Sequence, residues 1–154
     1  MFRADMSTLR CLKCRSSARR RVYFLTFDAG IPHLGPGTHP FTWLLPLELG
    51  ADGQWRAIGG AGGAGGVPPR AQPWVNLAGG YGGDLFYAGG HIDGAGADVS
   101  QVRIVFADGL VLTDASQDGV AVFIADQQVV MPSTVELYDR AGALVGAHEA
   151  FPGQ

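Results

Sequence analysis

Cys11-Leu12-Lys13-Cys14 has the spacing of a metal or redox pair. Two thiolates at that spacing can share a tetrahedral zinc, but a closed structural site takes four ligands. His33 and His39 are the nearest further donors, and together they give C-x2-C-x18-H-x5-H. A strand-like segment, Val22 to Phe27, lies between the two pairs, so a zinc finger there competes with the fold. Thioredoxin-type use of the cysteines needs a strand-to-helix junction in a βαβ unit, which this chain lacks. Free thiols are the expectation.

Other patterns carry less chemistry. Asp84 and Asp93 are the one carboxylate pair in the Gly-rich middle that suits a glycan-acting hydrolase, provided they face each other across a cleft. Gly60-Ala61-Gly62-Gly63-Ala64-Gly65 matches G-x-G-x-x-G, yet Val67-Pro68-Pro69 follows it. A dinucleotide site needs a helix at that point to hold the pyrophosphate, and paired prolines prevent one. Asp93 to Asp98 is like one calcium β-roll repeat, but such sites need stacked copies. The four histidines (33, 39, 91 and 148) are scattered, and no G-x-S-x-G occurs. The aromatics Trp43, Trp55, Trp74, Tyr81, Phe86 and Tyr87 concentrate from the N-terminal half to residue 87, three of them close to glycines. On one exposed face they would form a ligand platform; buried, they are core.

Such residues need elements to position them, and the elements are strands. Val102 to Ala107 ends in Asp108-Gly109, Val120 to Ala125 follows Asp118-Gly119, and Thr134 to Tyr138 ends in Asp139-Arg140-Ala141-Gly142. Asp108-Gly109 fits a two-residue type I′ turn returning through Leu110 to Thr113, and Ala143 to Ala147 pairs back on Thr134 to Tyr138. Upstream, Val22 to Phe27 is β-branched and aromatic. Phe41 to Leu49 is a strand interrupted at Pro46, expected at an edge or bulge because proline lacks the ladder N–H. Ala51-Asp52-Gly53 turns it back into Gln54 to Ile58. Asp28 to Pro40 is a loop, and Gly59 to Gly66 is the most flexible stretch of the body. Trp74 to Leu77, Leu85 to Tyr87 and His91 to Asp93 are short extended pieces. Several runs are apolar on both faces, which predicts cover on both sides.

The 154 residues suit one domain, with 47% hydrophobic and 16% charged residues and 24 glycines. The net charge of −3 divides into +6 over residues 1–21 and −9 over the rest. An acidic body repels nucleic acid and anionic membrane, whereas the basic start could contact nucleic acid through its arginines. Arg19-Arg20-Arg21 repel one another, so residues 1–21 are expected to be a loose tail preceding a domain at 22–152. Both cysteines lie in that tail, so no disulfide staples the body. No apolar run of membrane-spanning length and no signal-peptide core is visible, which leaves the cytoplasm as the default compartment.

Several stretches resemble a recurrent, uncharacterised domain of Gram-positive bacteria, many of them actinobacteria. They are Gly59 to Gly66, Pro73 to Leu77, Phe86 to Gly90, Val102 to Gly109, Asp118 to Val120 and Glu136 to Gly142, and the similarity covers roughly residues 40–150. The resemblance implies an all-β, sandwich-like fold and brings no catalytic residue.

The expectation is therefore an all-β protein, an antiparallel β-sandwich of immunoglobulin-like kind. Its function would be non-catalytic binding of a protein, peptide or glycan through Gly-rich loops (59–70 and 78–97) and the six aromatics, with no cofactor.

Overall fold

The computed structural model describes residues 2–64, 69–116 and 119–151. Among these described residues, twelve strands make three sheets, and every pairing is antiparallel. The N-terminal sheet holds β1 (Arg3–Ser17), β2 (Arg20–Gly30), β3 (His39–Leu49), β4 (Trp55–Ala57) and β5 (Ala61–Ala64). Its order is β1-β2-β3-β4, with β5 also paired to β3. The central sheet is β10 (Val120–Ala125), β7 (Leu85–Asp93) and β6 (Trp74–Gly82), in that order. The third sheet runs β12 (Leu144–Ala150), β11 (Ser133–Asp139), β8 (Val99–Phe106) and β9 (Val111–Ala115).

The period-two alternation of the central strands explains the layering. Leu85 and Tyr87 of β7, with Val120 and Val122 of β10, pack on Val22, Phe24 and Leu44 of the N-terminal sheet. The intervening Phe86, Ala88, Ala121 and Phe123 point the other way, onto Val102, Ile104, Val135 and Leu137 of the third sheet. The central sheet is thus covered on both faces, as strands apolar on both sides require.

Three hairpins share one turn. Gly53, Gly109 and Gly142 each have φ near +80 to +90°, and each closes a three-residue loop. Asp108 has no positive φ, so its loop is not the type I′ turn expected, which needs two such residues. A type I turn followed by a left-handed glycine does the same work with one.

Three expectations are corrected. Residues 3–17 are not a loose tail: β1 pairs along β2, its Leu12 joins the core beneath the N-terminal sheet, and Lys13 is held by a buried carboxylate. The Gly-rich stretch is not wholly loop either, because Ala61–Ala64 pairs with Phe41 to Leu44 of β3; residues 65–68 lie outside the described residues. The pieces at 85–87 and 91–93 are one continuous strand, β7. Pro46 sits where the partner of β3 changes from β4 to β5. Its carbonyl accepts Ile58 N–H on that side, so the N–H it lacks falls in the gap between the two partners.

Candidate interaction surface

The register of the N-terminal sheet sorts its side chains. Val22, Phe24 and Leu44 face the central sheet, so the alternate residues face outward. Those are Tyr23, Leu25 and Phe27 on β2 and Phe41, Trp43, Leu45, Leu47 and Leu49 on β3. All are apolar or aromatic, and each is only half-buried. Among the described residues, Phe2 packs over one end of this row, against Phe27 and Phe41, and the Arg21 guanidinium reaches the Tyr23 hydroxyl at the other.

Phe27, Phe41 and Trp43 form a ladder across this face. The first pair stacks at 5.2 Å between centroids and 29°, the second at 6.1 Å and 28°. Phe2 meets Phe41 edge-on at 5.1 Å. The four rings line a shallow, almost wholly apolar hollow. At the opposite end Trp55 pairs across from Leu49, and the guanidinium of Arg21 lies 4.4 Å over its ring. The glycine run is adjacent: a Cβ on Gly60 would overlap the Trp43 indole, and one on Gly62 would strike the Thr42 carbonyl. Glycine is needed at both positions for close approach rather than for flexibility.

The six aromatics singled out from the sequence do not form one platform. Trp43 and Trp55 lie on the outer face just described. Phe86 is core between the central and third sheets, and Tyr87 is core between the central and N-terminal sheets. The Tyr87 hydroxyl accepts Gly60 N–H at 2.9 Å. Tyr81 is exposed, with its hydroxyl donating to Val129 O at 3.2 Å. Trp74 is sandwiched between His148, stacked at 3.6 Å, and the Arg70 guanidinium at 4.1 Å. Phe2, Phe27, Phe41 and the outward leucines are the members that aromatic-beside-glycine reasoning passes over. Their signal is the apolar odd positions of Phe41 to Leu49, beside even positions of which Leu44 and Pro46 are apolar too.

The buried polar groups serve as edge caps. Asp114 Oδ2 accepts the N–H of Val122 on β10 at 2.8 Å, while Lys13 Nζ binds Asp114 at 2.7 Å and Ala115 O at 2.6 Å. At the other edge of the central sheet, His148 Nε2 accepts the N–H of Val75 on β6 at 3.1 Å. Burial, with Arg70 nearby, pushes the His148 imidazole below its ordinary value. These contacts satisfy backbone groups that an edge strand otherwise leaves open.

The carboxylate pair is corrected. Asp84 lies at the β6–β7 turn and Asp93 at the far end of β7, about 30 Å apart along an extended strand. A glycosidase needs about 5–10 Å. Asp84 instead bonds Arg20, as do Glu48 and Asp126, and that contact holds its carboxyl below the usual range. The zinc ligands do not assemble either. Cys11 and Cys14 pair across from Leu25 and Tyr23, on the outward side, whereas His39 pairs with Ala29, about 13 Å further along β2 than Leu25. Among the described residues no group of three or more His, Cys, Asp or Glu could hold a metal. A crevice of about 250 Å³ between β3–β5 and β6–β7 is lined by uncharged residues, with Thr42, Asn76 and His91 as its polar side chains.

No protein-family model matches the chain, and no curated protein or solved structure does. Among the described residues no helix is long and apolar enough to cross a membrane.

Proposed function

We propose that the protein is a non-catalytic interaction module whose working surface is the outer face of its N-terminal sheet. The observation that supports this is the contiguous, partly exposed apolar row from Phe27 through Phe41 and Trp43 to Leu45 and Leu49 on the outer face of the sheet. Large apolar patches on soluble proteins are commonly contact surfaces. A flat ladder flanked by leucines suits the apolar surface of a protein better than a glycan, whose hydroxyls need polar partners beside the rings. The Gly-rich run supports this face by letting Trp43 lie close to the backbone, so the surface is a sheet rather than a loop cluster.

We also infer that residues 74–150 are an immunoglobulin-like sandwich. Three strands (β6, β7, β10) face four (β12, β11, β8, β9) across one core, with strands crossing between sheets as in Greek-key sandwiches. On this reading the N-terminal sheet is an addition to a common scaffold, and it brings the binding face.

A photocrosslinking residue at position 45 tests the functional proposal in the cells that make the protein. It is expected to give discrete adducts, while the same residue at Thr134, beside Glu149 on the outer face of the third sheet, gives none. Equal labelling at the two positions overturns the proposal.

A further inference from the structure

We infer that Cys11 and Cys14 form a two-thiolate site for one soft monovalent cation of the copper(I) class. On a regular strand, residues three apart point to opposite faces. β1 is not regular there. Cys11 pairs with Leu25 and Lys13 with Phe24, so β1 advances two residues while β2 advances one, a bulge at Leu12. The extra residue puts both cysteines on the outward side, across from Leu25 and Tyr23. Two inward contacts hold the bulge. Leu12 packs on the core beneath the sheet, and Lys13 Nζ lies 2.7 Å from the buried Asp114 carboxylate. The fold itself thus brings the two thiols to one face, and both are exposed.

Their spacing favours a bridging ion over a direct bond. Leu25 and Tyr23 are two residues apart, which separates the Cα atoms of their partners by about 6.6 Å. Side chains stand roughly perpendicular to a sheet, so the Cβ atoms keep much of that separation. A disulfide needs Cβ atoms about 3.5–4.5 Å apart. Two thiolate–metal bonds of about 2.3 Å in line span about 4.6 Å between sulfurs, which the side chains reach by leaning together. Burial, and then the neighbouring Cys14, push the Cys11 thiol up, as a second thiol close by does.

The donor set selects the ion. Among the described residues no third His, Cys, Asp or Glu completes a cluster with the pair. Structural zinc takes four ligands and calcium six to eight oxygens, so both are left short. A soft monovalent ion is satisfied by two thiolates in line. Binding breaks two S–H bonds, forms two metal–sulfur bonds and releases two protons to solvent. The site does not depend on what the apolar row contacts.

Anaerobic titration of the reduced protein with copper(I), read by native mass spectrometry and near-ultraviolet absorption, decides the matter. These are the only two cysteines of the chain, so the readout is specific. Wild type is expected to take one copper(I) per chain at micromolar concentration and no zinc under the same conditions. Cys11→Ser and Cys14→Ser are each expected to lose the complex with an unchanged far-ultraviolet spectrum. Ser16 pairs with Arg21, four residues from Leu25, so Cys14→Ser with Ser16→Cys keeps two thiols on one face but about 13 Å apart. That variant is also expected to lose the complex; if it does not fold, the single serine variants carry the comparison. No uptake by wild type, uptake retained in a serine variant or in the displaced pair, zinc bound as readily as copper(I), or one copper(I) shared between two chains overturns the site.

Discussion

The indole of Trp43 occupies the space that a side chain on Gly60 would fill. Gly60 is therefore a packing position, and Gly60→Ala must displace the ring. The expected cost is about 1–3 kcal/mol of overpacking. Near-ultraviolet circular dichroism should show the Trp43 environment changed. Gly63→Ala, where an added Cβ meets nothing within 4 Å, should leave both stability and spectrum close to wild type.

The first strand is an integral part of the fold. Lys13→Ala would leave Asp114, whose side chain is 2% exposed, without its closest cation. Losing one partner of a buried pair costs about 3–5 kcal/mol. Arg15, 3.5 Å from the other carboxylate oxygen, compensates in part, so about 3 kcal/mol is expected. Arg10→Ala, on the same strand but exposed, should change stability by less than about 0.5 kcal/mol. Urea unfolding of the two variants measures the contrast, and equal, small effects would mean that residues 3–17 do not hold the structure together.

Arg20 joins the N-terminal sheet to the central one. Its guanidinium bonds Glu48 on β3, Asp84 at the β6–β7 turn and Asp126 just past β10. The carboxylates are solvent-exposed, which discounts the cluster heavily. Arg20→Met should cost about 1 kcal/mol, or roughly 3 °C in midpoint. The difference from wild type should shrink in high salt.

His148 makes stability depend on pH. Its Nε2 accepts Val75 N–H, so the folded protein needs the neutral ring, and burial lowers its tendency to protonate. Burial acts on His91 in the same direction. The unfolded chain then binds protons more readily than the folded one below the ordinary imidazole value of about 6.5. Stability is full above that value and falls as pH drops through it toward the lowered folded values. Chemical denaturation at stepped pH should show this slope, and His148→Gln, whose carbonyl can still accept the N–H, should flatten it. An unchanged slope in that variant removes His148 as the cause.

How much of this was legible varies by element. Val120 to Ala125 is apolar at every position, so a strand covered on both faces follows from the residues alone. The hairpins at Gly53, Gly109 and Gly142 follow from turn chemistry, although the loop length does not. β1 was hidden because seven of the first 21 residues are basic, which looks like a solvated tail. Lys13 and Arg15 reach inward to Asp114, and no local pattern encodes a partner a hundred positions away. β5 was hidden because Ala-Gly-Gly-Ala has poor strand propensity. It pairs because β3 offers an open edge and Gly62 alone fits against the Thr42 carbonyl. The outer face was half-visible: the leucines and rings of β3 are plain in the sequence, but only the register shows that they line up with β2 and share one side.

Oxidative footprinting tests the account most directly, by comparing dilute purified protein with extract from the cells that make it. Tyr81, 45% exposed on a different sheet, is the internal reference. The account predicts that Phe41 and Trp43 lose labelling in the extract while Tyr81 keeps its own. Undiminished labelling of Trp43 in the extract would contradict it.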